Sequence, residues 1–184
     1  SCLRLFNRLH GQVYTFAGDC LQHGKGDGIN PLFTDLSSTI QDNQTPCVLY
    51  VIDYYGYEVR MVTKSVVPHV TTLIKCCCRH RMDLIQDYDG KSLYITHLDG
   101  LELFNLVTNK STDIVSESTD FATMIYDSNI GSFVGIIISQ NNLIISADYG
   151  RNMLYLIDLT TNSTSTICTG KVGYRSGNAS FCQV

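Results

Sequence analysis

The sequence has few charged residues, no tryptophan and no excess of positive charge. Charged residues make up 16% of the 184 residues, and 13 Lys and Arg stand against 17 Asp and Glu, a formal net charge of -4. Proteins that bind nucleic acid through its phosphates usually present a basic surface, so DNA and RNA are disfavoured as partners. The hydrophobic fraction of 44% is enough to build a core, which argues against intrinsic disorder.

Long hydrophobic runs are also missing. The longest, such as residues 134–138 and 143–147, hold about five residues, whereas a transmembrane helix needs about 20. We therefore expect no membrane span. Residues 1–8 lack the hydrophobic segment of a secretion signal, so we expect any such peptide to have been removed.

Cysteine, by contrast, is abundant. Eight cysteines are many for a cytosolic protein of this size, and their even number permits complete pairing, so we expect disulfides and a secreted or extracellular location. The expected disulfide cysteines are Cys2, Cys20, Cys47, Cys76, Cys77, Cys78, Cys168 and Cys182. Their connectivity stays open because eight cysteines allow about 105 pairings. A zinc site at Cys76, Cys78 and His80 lacks a second well-spaced ligand pair, so neither a metal nor another cofactor is expected.

Short apolar runs separated by Gly, Asn and Asp recur in a fixed order, and this repeat predicts the fold. The runs show the alternation of strands rather than the period of helices. Aligned on Asp53, His97 and Asp148, three copies lie 44 and 51 residues apart, a spacing typical of propeller blades. Each copy contains a predicted β-hairpin, at 49–62, 93–107 and 143–158.

One further strand is predicted before and one after each hairpin, which makes four strands per blade. We therefore predict an all-β propeller with about three complete four-stranded blades and a partial terminal blade. The expected divisions are 1–18 as the end of a blade, 19–78, 79–118 and 119–170 as successive blades, and 171–184 as the start of the next. A small ring of about four blades and a segment of a larger ring both stay open, with the segment or a shared assembly favoured. Three unrelated hairpins in a β-sandwich are the competing interpretation.

The first copy carries several motifs in order along the chain. They are Val13-Tyr-Thr-Phe-Ala-Gly18, a Gly24-Lys-Gly-Asp-Gly28 loop, Leu49-Tyr-Val-Ile-Asp53 and the pair Val59-Arg60. Together they resemble the NHL-repeat family of β-propellers, which implies the same blade architecture. In the second copy, His97 and Phe104 stand where Asp and Arg are usual in that family, so the match there depends on spacing.

Several motif residues have a structural interpretation. Asp53 and Asp148 end an apolar strand at a tight turn, where a carboxylate can accept backbone N–H bonds. The loop of residues 24–28 has no following helix, so we do not expect it to bind a nucleotide. Glycines of the loops between blades are predicted to adopt positive φ; they are Gly18, Gly24, Gly26, Gly28, Gly170, Gly173 and Gly177.

The favoured function is a non-catalytic extracellular protein–protein binding or assembly module. Tyrosines cluster in the predicted hairpin turns, and tyrosine provides a large contact area at low entropic cost. The predicted binding residues are Tyr54, Tyr55, Tyr57, Asp99 and Tyr149. The expected partner is an extracellular protein, or another copy or chain that completes the propeller. Turn tyrosines that only cover blade edges are the competing interpretation.

A secreted metal-dependent lyase or hydrolase is the alternative that the family resemblance implies. Such a site needs histidines that converge on one point, but only His97 occupies a repeated position among His10, His23, His69, His80 and His97. We therefore expect no catalytic residue. RNA binding, found in some intracellular members of the family, disagrees with the acidic net charge.

We predict N-glycans at four Asn-x-Ser/Thr sites, Asn109, Asn162, Asn43 and Asn178, with the first two most often occupied. Asn109 and Asn162 hold matching places in their repeats, in the polar turn between the third and fourth strands, so both are expected on one rim. Glycopeptide mass spectrometry of the protein from its natural source measures the occupancy. Unmodified Asn109 and Asn162 would contradict this support for secretion.

Overall fold

The computed structural model describes residues 1–75, 81–97, 100–115, 133–138, 143–148, 153–161 and 163–168. All regular secondary structure in these ranges is β-strand, which confirms the all-β prediction. Within them, no helix is long and apolar enough to span a membrane.

Fourteen strands lie in the described ranges. In chain order they are β1 (Cys2–Asn7), β2 (Gln12–Gly18), β3 (Leu36–Gln41), β4 (Val48–Asp53), β5 (Glu58–Thr63), β6 (His69–Lys75), β7 (Arg81–Gln86), β8 (Ser92–His97), β9 (Gly100–Asn105), β10 (Lys110–Val115), β11 (Phe133–Ile138), β12 (Leu143–Asp148), β13 (Met153–Asp158) and β14 (Ser163–Cys168).

Strands that are neighbours in sequence pair to form three antiparallel four-stranded sheets, β3–β6, β7–β10 and β11–β14. The remaining pair, β1 and β2, forms a two-stranded hairpin. Each four-stranded sheet contains one predicted hairpin with a strand on either side, as expected from the repeat. This arrangement is consistent with a β-propeller-like fold.

The chain divides into two compact units, Ser1–Arg81 and Met82–Val184. In the first unit the core consists of buried residues from β2, the following loop and β4–β6, namely Ala17, Phe33, Val51, Val62 and Val70. In the second unit it consists of Tyr94, Leu101, Ile136, Tyr155 and Ile157. Each unit therefore has its own hydrophobic core.

The burial of the strands explains their composition. Residues of β3 alternate between exposed and half-buried, whereas the last four residues of β4 are all buried. Every residue of β8 is buried. A strand that is covered on both faces is mostly apolar rather than alternating, as β4 is up to its last residue, Asp53.

The turns β9–β10 and β13–β14, which join third to fourth strands, share one geometry with the turn between β1 and β2. The Asn105 side chain accepts hydrogen bonds from the N–H groups two and three residues later, at 3.0 and 2.8 Å. Asp158 does the same in the next sheet, and Asn7 does so between β1 and β2. The last turn residue before the fourth strand is left-handed at both Gly11 (φ 64°) and Asn109 (φ 54°). The turn of the β1–β2 hairpin is thus similar to two of the turns between third and fourth strands.

The alignment of the second hairpin was wrong by two residues. His97 pairs with Gly100, so β9 begins after a two-residue connection, whereas Asp53 pairs with Glu58 across four residues. The equivalent of Val59 is therefore Leu101 and not Leu103. A connection shorter by two residues keeps each side chain on its face of the sheet, so the hydrophobic pattern alone did not reveal it.

The cysteines follow the prediction only in part. Cys2 and Cys20 form a disulfide that joins the start of β1 to the residues after β2. Cys47 is exposed and free among the described residues, where Cys2 and Cys20 bond to each other, so the predicted pairing of Cys47 is not found in that part of the chain. Cys168 lies in β14 with an undescribed side chain, and the remaining predicted disulfide cysteines, Cys76, Cys77, Cys78 and Cys182, lie outside the described residues.

We predict that Gly18→Ala destabilises the protein more than Gly11→Ala. Both glycines have positive φ, at 87° and 64°, but a Cβ at Gly18 would lie 2.6 Å from Cδ2 of Phe33, whereas nothing lies within 4 Å at Gly11. Backbone strain at Gly11 costs about 1 kcal/mol, and crowding at Gly18 adds about 1–3 kcal/mol. Urea unfolding measures both free energies. Equal losses would show that Phe33 does not restrict this position.

Candidate binding surface

The four-residue turn between β4 and β5 carries the predicted tyrosines. The Tyr54 N–H donates to Asp35 O at 2.6 Å, and the Tyr57 N–H donates to Tyr54 O at 3.2 Å. The rings of Tyr54 and Tyr55 meet edge to face, with centroids 5.0 Å apart. Tyr55 is 59% exposed. An exposed aromatic ring packed against a second ring is a suitable contact for a protein partner.

Tyr57 ends this turn in the left-handed region, at φ 57°. Its carbonyl accepts a hydrogen bond from Arg81 Nη1 at 3.0 Å, and Lys25 Nζ lies 5.8 Å from its ring centroid. Gly56 precedes it, and a Cβ there would lie 2.8 Å from Cγ of Asp53. The turn therefore packs closely on Asp53 at the end of β4, and the Arg81 side chain is hydrogen-bonded to its last residue.

Beneath the turn, the Asp53 carboxylate is fully buried. It accepts hydrogen bonds from the Thr34 N–H at 3.1 and 3.0 Å and from the Asp35 N–H at 2.9 Å. The Thr34 hydroxyl donates to it as well. This arrangement confirms the structural interpretation of Asp53, since the carboxylate joins the end of β4 to the residues that lead into β3.

Arg60, in the middle of β5, is the positive partner of this carboxylate. Its guanidinium is fully buried and lies 3.5 Å from Asp53. It donates to Leu32 O at 2.6 Å and to Gly26 O, and it stacks on Phe33 with 4.6 Å between Cζ and the ring centroid. Since these acceptors belong to the loop of residues 24–33, Arg60 fixes that loop to the sheet.

Asp27 is the second carboxylate on this guanidinium, 2.7 Å from Arg60 Nη2. It also accepts the Thr72 N–H at 2.9 Å and the Thr72 hydroxyl at 3.0 Å. Partial burial raises the pKa of Asp27, but the hydrogen bonds from Thr72 and Arg60 and the charge of Arg60 outweigh it, so this pKa lies below its usual value. The neighbouring Gly28 exchanges two backbone hydrogen bonds with Val70, which ties the loop to β6.

The glycines of this loop act differently from one another. Gly18 and Gly28 have positive φ as predicted, but Gly24 and Gly26 do not, so the prediction for those two was wrong. At Gly24 the requirement is space, since a Cβ would lie 2.9 Å from Cδ1 of Leu32. Gly170, Gly173 and Gly177 lie outside the described residues.

The second sheet has different residues at the same register positions. His97 replaces Asp53, and the correct equivalent of Arg60 is Glu102, not Phe104 as the sequence alignment predicts. Both His97 and Glu102 are buried. His97 Nε2 lies 4.0 Å from Asp113 of β10. An imidazole thus takes the position of the Asp53 carboxylate, and a carboxyl group takes the position of the Arg60 guanidinium.

The other predicted site residues are distributed as follows. Asp99 and Tyr149 belong to the connections β8–β9 and β12–β13 and lie outside the described residues. Asn109 is exposed in its turn, and Asn43 lies in the β3–β4 turn, where Asp42 accepts two backbone N–H bonds. In an antiparallel meander, the turns after the first and third strands lie at one end of the sheet. The turn after the second strand, such as β4–β5, lies at the other end. Asn162 and Asn178 lie outside the described residues.

In the described part of the chain, the histidines form no metal site and the groove beside β2 holds no acid–base pair. His10, His23 and His69 are exposed, and no group of three His, Cys, Asp or Glu residues in that part could hold a metal ion. The groove, of about 520 Å³, lies between β2 and the loop of residues 29–32. Asp19 is the one ionisable residue in its lining, so the groove contains no acid–base pair.

Sequence reasoning identified the tyrosine turn, with its exposed Tyr55, but missed the ion network beneath it. Arg60 was recognised only through the family motif, and Asp27 only as part of a glycine-rich loop. A usable signal was present, because Glu58 and Arg60 place two charges in a strand that is otherwise apolar. Charged residues at buried strand positions need partners, which here come from segments 7 and 33 residues away in sequence.

No protein-family model and no curated protein matches this chain. Solved structures do share its fold. An auxiliary nutrient binding protein from Bacteroides thetaiotaomicron is 13% identical with a TM-score of 0.65, over 84% of this chain and 36% of that one. The extracellular domain of a protein assigned as a one-component system from the same organism is 13% identical with a TM-score of 0.62, over 91% and 20%.

A nidogen/laminin complex contains a chain that is 11% identical with a TM-score of 0.64, over 92% of this chain and 58% of that one. This chain therefore spans between about a fifth and three fifths of the length of these structures. At such low identity the likeness establishes a propeller-like fold and leaves the activity open.

We predict that Arg60→Leu destabilises the first unit by about 3–5 kcal/mol, because it leaves the fully buried Asp53 without its positive partner. Arg4→Leu is the matched control, since Arg4 holds the equivalent position in β1 but is exposed. It should cost less than about 0.5 kcal/mol. Chemical denaturation of both variants measures the difference, and similar losses would show that the buried network is not required for stability.

Proposed function

We propose that this chain is a non-catalytic extracellular protein-binding or assembly module, built on an NHL-like propeller. It binds its partner through the turn of Tyr54, Tyr55 and Tyr57. The observation that carries the proposal is the exposure of Tyr55 on a turn fixed from below by the buried Asp53–Arg60 pair. A contact residue on a rigid base loses little entropy on binding, which favours affinity.

The proposed extracellular location has two supports. The Cys2–Cys20 disulfide is typical of proteins from oxidising compartments, and one structural neighbour is an extracellular domain. We propose further that Asn43, Asn109, Asn162 and Asn178 carry N-glycans. A glycan at Asn43 would lie at the end of its sheet opposite the tyrosine turn and leave that turn accessible, and Asn109 lies at the corresponding end of its own sheet.

The proposed partner is an extracellular protein, or another copy or chain that completes the propeller. The names of two structural neighbours support binding in general terms: one is a nutrient binding protein, and the other is part of a nidogen/laminin complex. Asp99 and Tyr149 are proposed as further binding residues, because each occupies the connection of its own sheet that is equivalent to the tyrosine turn.

We expect the double substitution Tyr54→Ala and Tyr55→Ala to weaken partner binding by about 2 kcal/mol, or about thirtyfold in Kd. Folding should change little, because the backbone bond from residue 54 to Asp35 O is retained. Partners are first captured from native extracellular material with the unaltered protein, and their affinities for both forms are then measured by surface plasmon resonance.

The matched control is Tyr88→Ala. Tyr88 is 54% exposed but lies in the β7–β8 connection, at the end of its sheet opposite the β8–β9 connection. Its substitution should leave Kd unchanged. Equal binding by the double variant and the unaltered protein would contradict the proposed surface.

A further inference from the structure

The tyrosine turn lies between exposed residues of opposite charge. At its end, Lys25 Nζ is 5.8 Å from the ring centroid of Tyr57. At its start, the Asp35 carbonyl accepts the Tyr54 N–H at 2.6 Å. Both Lys25 and Asp35 are exposed. The two ends of the turn therefore differ in charge, so this surface can select a partner by its charges as well as by contact with the rings.

A second lysine strengthens the positive end of the turn. Lys75 ends β6 directly opposite Glu58, the residue after Tyr57, and the Lys75 side chain is 75% exposed. Its Nζ lies 3.9 Å from Glu58 Oε1, while Arg60 Nε lies 4.0 Å from Glu58 Oε2. The Glu58 side chain is 3% exposed. The ammonium group of Lys75 therefore meets solvent, whereas the carboxylate beside it is buried between two cations.

Lys25 is the more available of the two lysines. Among the residues that the structure describes, no carboxylate oxygen lies within 4.0 Å of Lys25 Nζ. Asp27, two residues along the same loop, forms its ion pair with the buried Arg60. The backbone beside Lys25 is held in place, because Gly26 exchanges two hydrogen bonds with Leu32. An exposed ammonium group on a fixed loop favours an anion supplied by a partner.

The rings and the charges together indicate a protein segment as the partner. Tyr55 is 59% exposed, and its ring meets that of Tyr54 at 75°, so the two rings form a corner that an apolar side chain can fill. A sulfated polysaccharide is negative along its whole length, so Asp35 at the start of the turn would repel it. A protein segment avoids this repulsion when its acidic residues lie on one side of the apolar side chain only.

We propose that the tyrosine turn binds a protein segment that carries an apolar or aromatic side chain with acidic residues on one side of it. The apolar side chain packs on Tyr55, and the acidic residues bind Lys25 and Lys75. Asp35 excludes segments that are acidic on both sides. This inference rests on the proposed binding function and names the chemistry of the partner that the turn recognises.

The probe is a rhodamine-labelled synthetic peptide of sequence Gly-Phe-Leu-Glu-Glu-Glu, compared with a matched basic peptide in which Lys replaces each Glu. Their Kd values for the whole chain are measured by fluorescence anisotropy at low ionic strength, where exposed charges are least screened. We expect saturable binding of the acidic peptide, at least about tenfold tighter than that of the basic peptide.

Charge variants of the protein then assign the contacts. Lys25→Glu should weaken the acidic peptide at least about fivefold and strengthen the basic one, and Lys75→Gln should weaken the acidic peptide about twofold. Lys110→Glu is the matched control, since Lys110 is exposed at the start of β10 and its substitution changes the net charge as Lys25→Glu does. It should leave both Kd values unchanged. Unaltered thermal unfolding verifies that each variant is folded.

Three results would overturn the inference: binding of the basic peptide at least as tight as that of the acidic one, equal effects of Lys25→Glu and Lys110→Glu, or tighter binding by a heparin fragment that Lys25→Glu weakens. The last would assign the lysines to a sulfated polysaccharide. The peptides report on the charges, whereas the Tyr54 and Tyr55 substitutions report on the captured partner. Loss of partner binding in the tyrosine variant without selectivity for the acidic peptide would therefore refute this inference alone.

Discussion

The buried guanidinium of Arg60 connects the parts of the first unit that are far apart in sequence. It binds Asp53 at the end of β4, Asp27 and two carbonyls in the preceding loop, and it stacks on Phe33. Arginine suits this position because its planar group offers five donors in fixed directions and stays charged when buried. Isolated burial of any one of these charges would be costly, so the network forms as a whole. The tyrosine turn depends on it, since Asp53 anchors the strand that the turn follows.

The repeated sheets conserve register more strictly than they conserve chemistry. The position of Arg60 is taken by Glu102 in the second sheet and by Tyr155 in the third, and each is buried. In each of the three sheets, this position of the third strand holds a large buried side chain, but its chemical type differs from sheet to sheet. This explains why the resemblance to the NHL-repeat family is strong around the first sheet and fades in the second. The motif residues Asp53 and Arg60 form the ion network of the first sheet, whereas the second and third sheets keep the same strand order without it.

Much of the fold could be predicted from the sequence because apolar runs of five or six residues recur with turn residues between them. The strands β1 and β2 were predicted from their likeness to later strands, and they pair as a hairpin with an Asx-capped turn. The two-residue connection before Gly100 was missed because hydrophobic patterning is insensitive to a shift of two. The free thiol of Cys47 was missed because cysteine counts do not reveal distances. The exposed Tyr55 was predictable from composition, but the support beneath it depends on long-range contacts that no local pattern encodes.

The disulfide between Cys2 and Cys20 closes the β1–β2 hairpin at the end opposite its turn. A two-stranded hairpin is marginally stable by itself, because it pays the full entropy of ordering for few contacts. With a covalent link at one end and the Asn7-capped turn at the other, neither end can fray freely. Reduction would release the Cys2 end first and let β1 separate from β2. The redox state of the surroundings thus controls whether β1 and β2 stay paired.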